Sequence, residues 1–254
     1  MGHDRVLASL NLFAVLQNLE ELVKLDPQAA ALCADWNVSM SFSVFNGPAA
    51  WIGFDKGLCT VKKGGGVKAD IALKFVSCRH LNLMFESKRP PIIARGITRL
   101  PFLLSKFPQL TKRLEYYLKP DEKLLETDEL FRRMNTILTL NTAAFAAVEL
   151  AAHDPVCQHI ASAIAQGSVL LKILPDGPAV SISITKDGWQ AQKGDIENPS
   201  AKMLLKDMDI AGAFLNQKLD IFCAIAAGDV AISGTVPMLD NLGLILDRIP
   251  LYLA

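Results

Sequence analysis

The sequence predicts an α+β protein that contains the same unit twice, each copy a mostly antiparallel sheet of about five strands covered by helices on one face. Three observations predict it. A set of landmarks recurs in order: Leu10-Asn11, Asp26-Pro27, Gly47-Pro48-Ala49, Lys63-Gly64 and Arg113 with Tyr117-Leu118 return as Leu140-Asn141, Asp154-Pro155, Gly177-Pro178-Ala179, Lys193-Gly194 and Arg248 with Tyr252-Leu253. The spacing holds at 130 residues from Gly47 to Gly177, Lys63 to Lys193 and Lys88 to Lys218, and drifts to 128 at Asp26 and 135 at Arg113. Such a drift reads as small loop insertions in a duplication, and a repeat of this period decides the architecture. Within each copy, helical periodicity gives way to period-two alternation and then returns.

In the first copy, Val6, Leu7, Leu10, Phe13, Ala14, Leu16 and Leu19 recur at helical spacing over about residues 4–24. Asp26-Pro27 is a helix start, a capping carboxylate followed by a residue pre-set for the first turn. Met40, Phe42 and Val44 alternate with Ser39, Ser41 and Ser43, a half-buried strand that turns at Asn46-Gly47 into residues 50–54. Lys56-Gly57 and Lys63–Gly66 turn into residues 58–61 and 69–75, so the four strands read as a meander. A short helix over about 78–86 follows, then a proline-bounded edge strand at 91–97 and a basic amphipathic helix over 101–118. The charged run 121–128 reads as a linker, which places one domain at 1–120 and the other at 129–254. The second copy repeats the order, with a helix from Asp128 to about Ala151, strands at 169–174, 180–184, 189–192 and 201–205, a helix over 208–216, and a last strand at 230–233 before the closing helix.

Composition narrows the function. The chain is 51% hydrophobic and 20% charged, so apolar surface is in surplus and needs a large core, a cavity or an interface. No apolar run reaches the roughly 20 residues of a membrane span, and the N-terminus is no signal peptide, so the expected location is cytoplasmic. Lys+Arg and Asp+Glu are balanced at 26 each, which argues against a nucleic-acid binder. The five cysteines, Cys33, Cys59, Cys78, Cys157 and Cys223, form no CxxC and read as reduced thiols.

From Gly167 to Leu253 the chain resembles the sterol carrier protein-2 family. The residues that carry the resemblance are Gly177–Gly194 with Trp189 after the Asp187-Gly188 turn, Ser200-Ala201-Lys202-Met203, Phe214–Asp220 followed by Ala224, and Gly228-Asp229 through Gly234. The first copy, residues 37–118, matches less well. Lys88-Arg89-Pro90-Pro91 runs straight into the last strand, about eight residues shorter than the passage through Asp220–Ala227. The resemblance implies noncatalytic binding or transfer of a fatty acyl, sterol-like or isoprenoid lipid between sheet and helices, by apolar side chains and without a cofactor. The residues expected to line that site are Trp189, Met203, Phe214, Leu215, Leu219, Phe222, Ile225, Ile232, Leu239 and Leu242. Burying an acyl chain is worth about 0.8 kcal/mol per methylene, so such a site needs no polar motif.

Other constellations are weaker. Gly64-Gly65-Gly66 lacks the Lys-Ser/Thr of a phosphate loop and reads as a turn. His153, Asp154, Cys157 and His159 fall short of convergent metal ligands, since Asp154 is better used as a cap. Cys78 with His80, and Asp70, could serve an enzyme only if they met around one pocket. The stretch 88–119 holds eight basic residues against one acidic. It reads either as an ordinary amphipathic helix or as a contact for an anionic membrane through Arg99, Lys106, Lys112 and Arg113. An interaction or scaffold module with a filled cavity is the alternative to a lipid carrier, and the oligomeric state is left open.

Overall fold

The computed structural model describes residues 2–253, and its chain divides into two units, Met1–Lys119 and Pro120–Ala254. The first begins with one helical rod: α1 (Gly2–Leu10), a π-helical turn (Asn11–Val15), a 3-10 turn (Leu16–Asn18) and α2 (Leu19–Leu25). Then come α3 (Pro27–Cys33), β1 (Asn37–Val44), β2 (Ala49–Asp55), β3 (Leu58–Lys63), β4 (Ile71–Phe75), α4 (Cys78–Phe85) and β5 (Ile92–Arg95). A 3-10 turn (Ile97–Arg99), a second π-helical turn (Phe102–Lys106) and α5 (Phe107–Leu118) close the unit.

The second unit contains α6 (Glu122–Thr127), α7 (Glu129–His153), α8 (Pro155–Ser162), β6 (Gly167–Ile173), β7 (Ala179–Thr185), β8 (Gly188–Lys193), β9 (Ala201–Leu205), α9 (Met208–Leu215), α10 (Ile221–Ala227), β10 (Val230–Gly234), α11 (Val236–Leu246) and α12 (Pro250–Leu253). The stretch 121–128, expected as a linker, instead folds as α6, capped by Asp121 and packed on α7.

Both sheets have the same topology, β3-β2-β1-β4-β5 and β8-β7-β6-β9-β10. Neither is a meander. The fourth strand leaves its sequence neighbour and pairs in parallel with the first, Met40 against Ile71 and Val169 against Ala201. At β3 the Val61 amide donates to the Glu20 carboxylate at 2.7 Å. That bond occupies part of the edge a fourth strand of a meander would need. The connection after Lys63 crosses to the far side of β1, and Gly64 and Gly66 supply left-handed backbone at its start.

Part of the drift in repeat spacing is absorbed inside helices, and part in the β6–β7 turn, which is one residue longer than the β1–β2 turn. From Leu10 to Asp26 the first unit is two residues longer than from Leu140 to Asp154, and the surplus falls where the rod carries its π and 3-10 turns. Two extra residues would rotate the following helical face by about 200°, and a π turn is how a helix takes up an insertion. The same happens between Gly96 and Arg113, three residues longer than Gly234 to Arg248, where the second π turn lies. The whole rod Gly2–Leu25 is long and apolar enough to cross a membrane by length and composition, although Asn11, Gln17, Asn18 and Glu20 break any simple apolar run; 72% of its most apolar stretch is buried in the folded chain.

Each edge strand ends in a glycine that the packing demands. At Gly234, φ is 85° and a Cβ would lie 2.2 Å from the Ser200 carbonyl oxygen; at Gly96, φ is 87° and the clash is with the Asp70 carbonyl at 2.7 Å. Both obstacles are backbone, so Gly234→Ala is expected to cost the second unit at least about 2 kcal/mol, read as a lower midpoint in urea unfolding.

Candidate functional site

Inward-facing residues of the second sheet can be compared position by position with the first, because the registers coincide. Met40, Phe42, Phe54, Ile71, Phe75 and Val38 correspond to Val169, Leu171, Ile184, Ala201, Leu205 and Gly167. These six positions and Val61, which becomes Ala191, are smaller in the second unit, whereas Val44, Ala50 and Cys59 are replaced by the larger Ile173, Val180 and Trp189. In the first unit the aromatic rings fill the space under the helices. Phe42 stacks on Phe75, and Trp36 meets Phe54 and Phe102 edge-on with centroids 5.0 and 4.7 Å away. In the second unit α7 lies across β7 and β8, and α11 packs on β9, α7 and α8. Met238 of α11 reaches Gly167, where a Cβ would sit 3.2 Å from its methyl.

The β9–β10 end is covered more thinly. Asp207 caps α9 through the Ile210 amide at 2.8 Å, and Asn216 at its end donates to Asn135 of α7 at 3.1 Å. Asp220 caps α10 through the amides of Phe222 and Cys223 at 3.0 Å, and left-handed Gly228 stops it. Of α10 only Ala224 is buried, and that helix packs on β10. Phe222 is 82% and Ile225 40% exposed. Met203, Leu239 and Leu242 are buried, whereas Phe214, Leu215, Leu219 and Ile232 are half-buried. Ile232 faces inward beside Met203, yet the inward residues of the central strand, Val169 and Ile173, are fully covered.

Trp189 stands apart from this group. It lies on β8, at the opposite edge of the sheet from Ile232. Four strand spacings of about 4.8 Å separate those edges, or about 19 Å. One compact pocket at β9–β10 does not include it.

Among the basic residues, Arg99, Lys106 and Lys112 are exposed on the closing helix of the first unit. Arg113, expected beside them, turns inward instead. Its guanidinium makes two bonds to the buried Asp26 carboxylate, and Tyr117 donates to the same carboxylate at 3.1 Å. The second unit repeats the cluster: Arg248 donates to Asp154 at 2.9 and 3.2 Å, and the Tyr252 hydroxyl donates to it at 2.5 Å. The landmarks Asp-Pro and Arg…Tyr, read separately in the sequence as a helix cap and a helix end, are thus one clasp that ties the closing helix to the short second helix. Burial alone would push the Asp26 carboxyl up, but the Arg113, Ala29-amide and Tyr117 bonds outweigh it and hold it below the usual carboxylate range. Asp154 is held well below that range by the same balance, burial against Arg248, Tyr252 and the Cys157 amide. Burial also pushes the Tyr117 and Tyr252 hydroxyls, and the Cys33 and Cys157 thiols, up to about 12.

The residues considered for catalysis do not converge. His80 accepts from the Val76 amide at Nδ1 (3.3 Å) and meets the Pro90 carbonyl with Nε2 (2.9 Å), so the backbone occupies both ring nitrogens. Asp70 accepts from the Ser39 amide and hydroxyl, both at 2.8 Å. Among the described residues no group of three His, Cys, Asp or Glu could hold a metal ion. One depression of about 420 Å³ opens on the first sheet's uncovered face, where Asn37, Ser39, Thr60, Asp55 and Asp70 surround Trp51 and Leu58. Its wall is mixed in polarity, and the Trp51 ring, lying over Gly53, is what sequence alternation alone did not single out.

No protein-family model and no curated protein sequence matches the chain. Solved structures do. The chain is similar to the sterol carrier protein domain 2 of Helicoverpa armigera, with 14% identity over 43% of this chain and 87% of that one, at a TM-score of 0.34. It is similar to a palmitated sterol carrier protein-2-like protein of Aedes aegypti, with 15% identity over 35% and 85% of the two chains, at a TM-score of 0.27. A stereoselective inverting sec-alkylsulfatase from a Pseudomonas species shares 8% identity over 59% of this chain and 28% of its own, at a TM-score of 0.26. Each sterol carrier match spans less than half of the chain. Two five-stranded mixed sheets covered by helices make up the architecture, and the solved structures the chain is similar to include sterol carrier protein-2 domains, each over part of the chain.

Proposed function

We propose that this chain binds an apolar ligand without chemistry, a fatty acyl, sterol-like or isoprenoid lipid, in the second unit between sheet and helices. The observation that carries the reading is the β9–β10 end, where Phe214, Leu215, Leu219 and Ile232 stay half-buried and Ile232 faces inward opposite buried Met203, an apolar wall. Ten methylenes transferred to such a wall supply about 8 kcal/mol before ordering costs. Soluble carriage or transfer of the ligand follows from the same chemistry.

Native mass spectrometry and solvent extraction of the purified protein, with titration of a fluorescent fatty acid, test the proposal. A bound lipid, or displaceable probe binding, supports it. Empty protein that ignores the probe overturns it. A second reading applies to the first unit, whose Trp36, Phe54, Phe102 and Phe107 fill the gap under the helices and which has no counterpart of α10. That unit serves as an interaction module. A photoreactive fatty acid should therefore label peptides of 129–254 and spare those of 1–119.

A further inference from the structure

We propose that the first unit docks on an anionic lipid bilayer through the exposed face of residues 97–106. The chain's zero net charge conceals a polarity. Met1–Lys119 carries 16 Lys+Arg against 9 Asp+Glu, hence +7, and Pro120–Ala254 carries 10 against 17, hence −7. The contrast is sharpest at equivalent positions. From Lys88 to Leu114 the first unit has seven basic residues and no acidic one. From Lys218 to Ile249 the second has four aspartates and two basic residues, Lys218 and Arg248.

Within that basic stretch the helix after Gly96 is apolar on its outside. Ile97 is 71%, Leu100 36% and Leu104 71% exposed, and their spacing of three and four places them one turn apart. The inner side is already used, since Phe102 packs on Trp36 and Phe107 on Phe54. The outer stripe is therefore surplus to folding. Arg99 and Lys106 are exposed beside it, and Arg89, Lys106 and Lys112 enter none of the ion pairs among the described residues. An apolar stripe flanked by unneutralised cations matches the boundary between acyl chains and anionic headgroups. A neutral protein partner would satisfy the stripe and leave the cations unmatched. This surface is separate from the ligand site, and docking stands or falls without it.

Vesicle flotation of the full chain tests the proposal. At low salt the protein should float with phosphatidylcholine–phosphatidylglycerol vesicles, stay behind with phosphatidylcholine alone, and be released by added salt. The pair Arg99→Glu with Lys106→Glu should weaken binding at least about thirtyfold, at the roughly tenfold or less that each basic residue contributes near such a surface. Ile97→Ser with Leu104→Ser should weaken it at least about tenfold. All four side chains are exposed, so unfolding midpoints and binding of a soluble fluorescent fatty acid should not change, which separates this result from the ligand proposal. No flotation with anionic vesicles, equal flotation of both variants, or retention on duplex DNA with vesicles ignored would overturn it.

Discussion

Asp26→Ala should remove about 3–5 kcal/mol from the first unit, and Asp154→Ala a similar amount from the second, because each leaves a guanidinium without its buried counter-ion. The Asp26 side chain is wholly covered and that of Asp154 nearly so, while Arg113 and Arg248 keep 22% and 27% of theirs exposed. The partial exposure puts both at the lower end of that range. Each carboxylate also caps a helix, through the Ala29 amide at 2.9 Å and the Cys157 amide at 2.8 Å. Asp26→Ser keeps a cap, so Asp26→Ser with Arg113→Met should recover most of the loss, whereas Arg113→Met alone should not. Urea unfolding followed by Trp36 and Trp51 reports the first unit and by Trp189 the second. A shift under 1 kcal/mol for either aspartate would mean that the clasp is incidental. The pH dependence has a definite sign. A carboxyl held below its unfolded value of about 3.9 contributes stability that is complete above that pH. It is lost as pH falls through the lower folded value, so both alanine variants should converge on the parent protein in acid and differ from it at neutral pH.

The clasp also marks how far the sequence could be read. Its two landmarks, Asp-Pro and Arg with Tyr, are among the five that recur in the sequence, and the strands follow from alternation at Met40, Phe42 and Val44 and from the turns at Asn46-Gly47 and Lys56-Gly57. What alternation does not carry is the partner of a strand. The parallel pairing of Ile71 with Met40 joins residues 31 apart, and a bond from Val61 to Glu20, 41 residues away, occupies part of the β3 edge. The inward turn of Arg113 was equally hidden. On a helix it sits next to exposed Lys112, and only the arrival of Asp26 from 87 residues away decides its direction. The expected site residues divide along the same line. Phe214 to Ile225 are near in sequence, on α9, α10 and the turn between them, whereas Trp189 belongs to a strand that the topology sends to the other edge. Periodicity also reports apolar positions without reporting their cover, and Ile97 and Leu104 are exposed.

Ile232→Asp should weaken ligand binding in the second unit about a hundredfold while leaving it folded. Ile232 lies on the inward face of the edge strand, opposite Met203, and is half-buried, so a carboxylate there can keep water without unpairing β9 from β10. An apolar chain lying against Met203 would have to displace that water or withdraw from the strand. Losing contact over three or four methylenes costs about 2.5–3 kcal/mol, or about a hundredfold in affinity. Because the proposed wall has no polar anchor, nothing elsewhere compensates. The control is Phe222→Asp. That side chain is 82% exposed and outside the wall, so its loss should change affinity by less than about threefold, against the hundredfold expected at Ile232. Equal affinity of the Ile232 variant and the parent protein for a fluorescent fatty acid would place the ligand elsewhere, whatever its chemistry. A large effect at Phe222 with none at Ile232 would move the site out of the sheet–helix gap and onto the exposed face of α10.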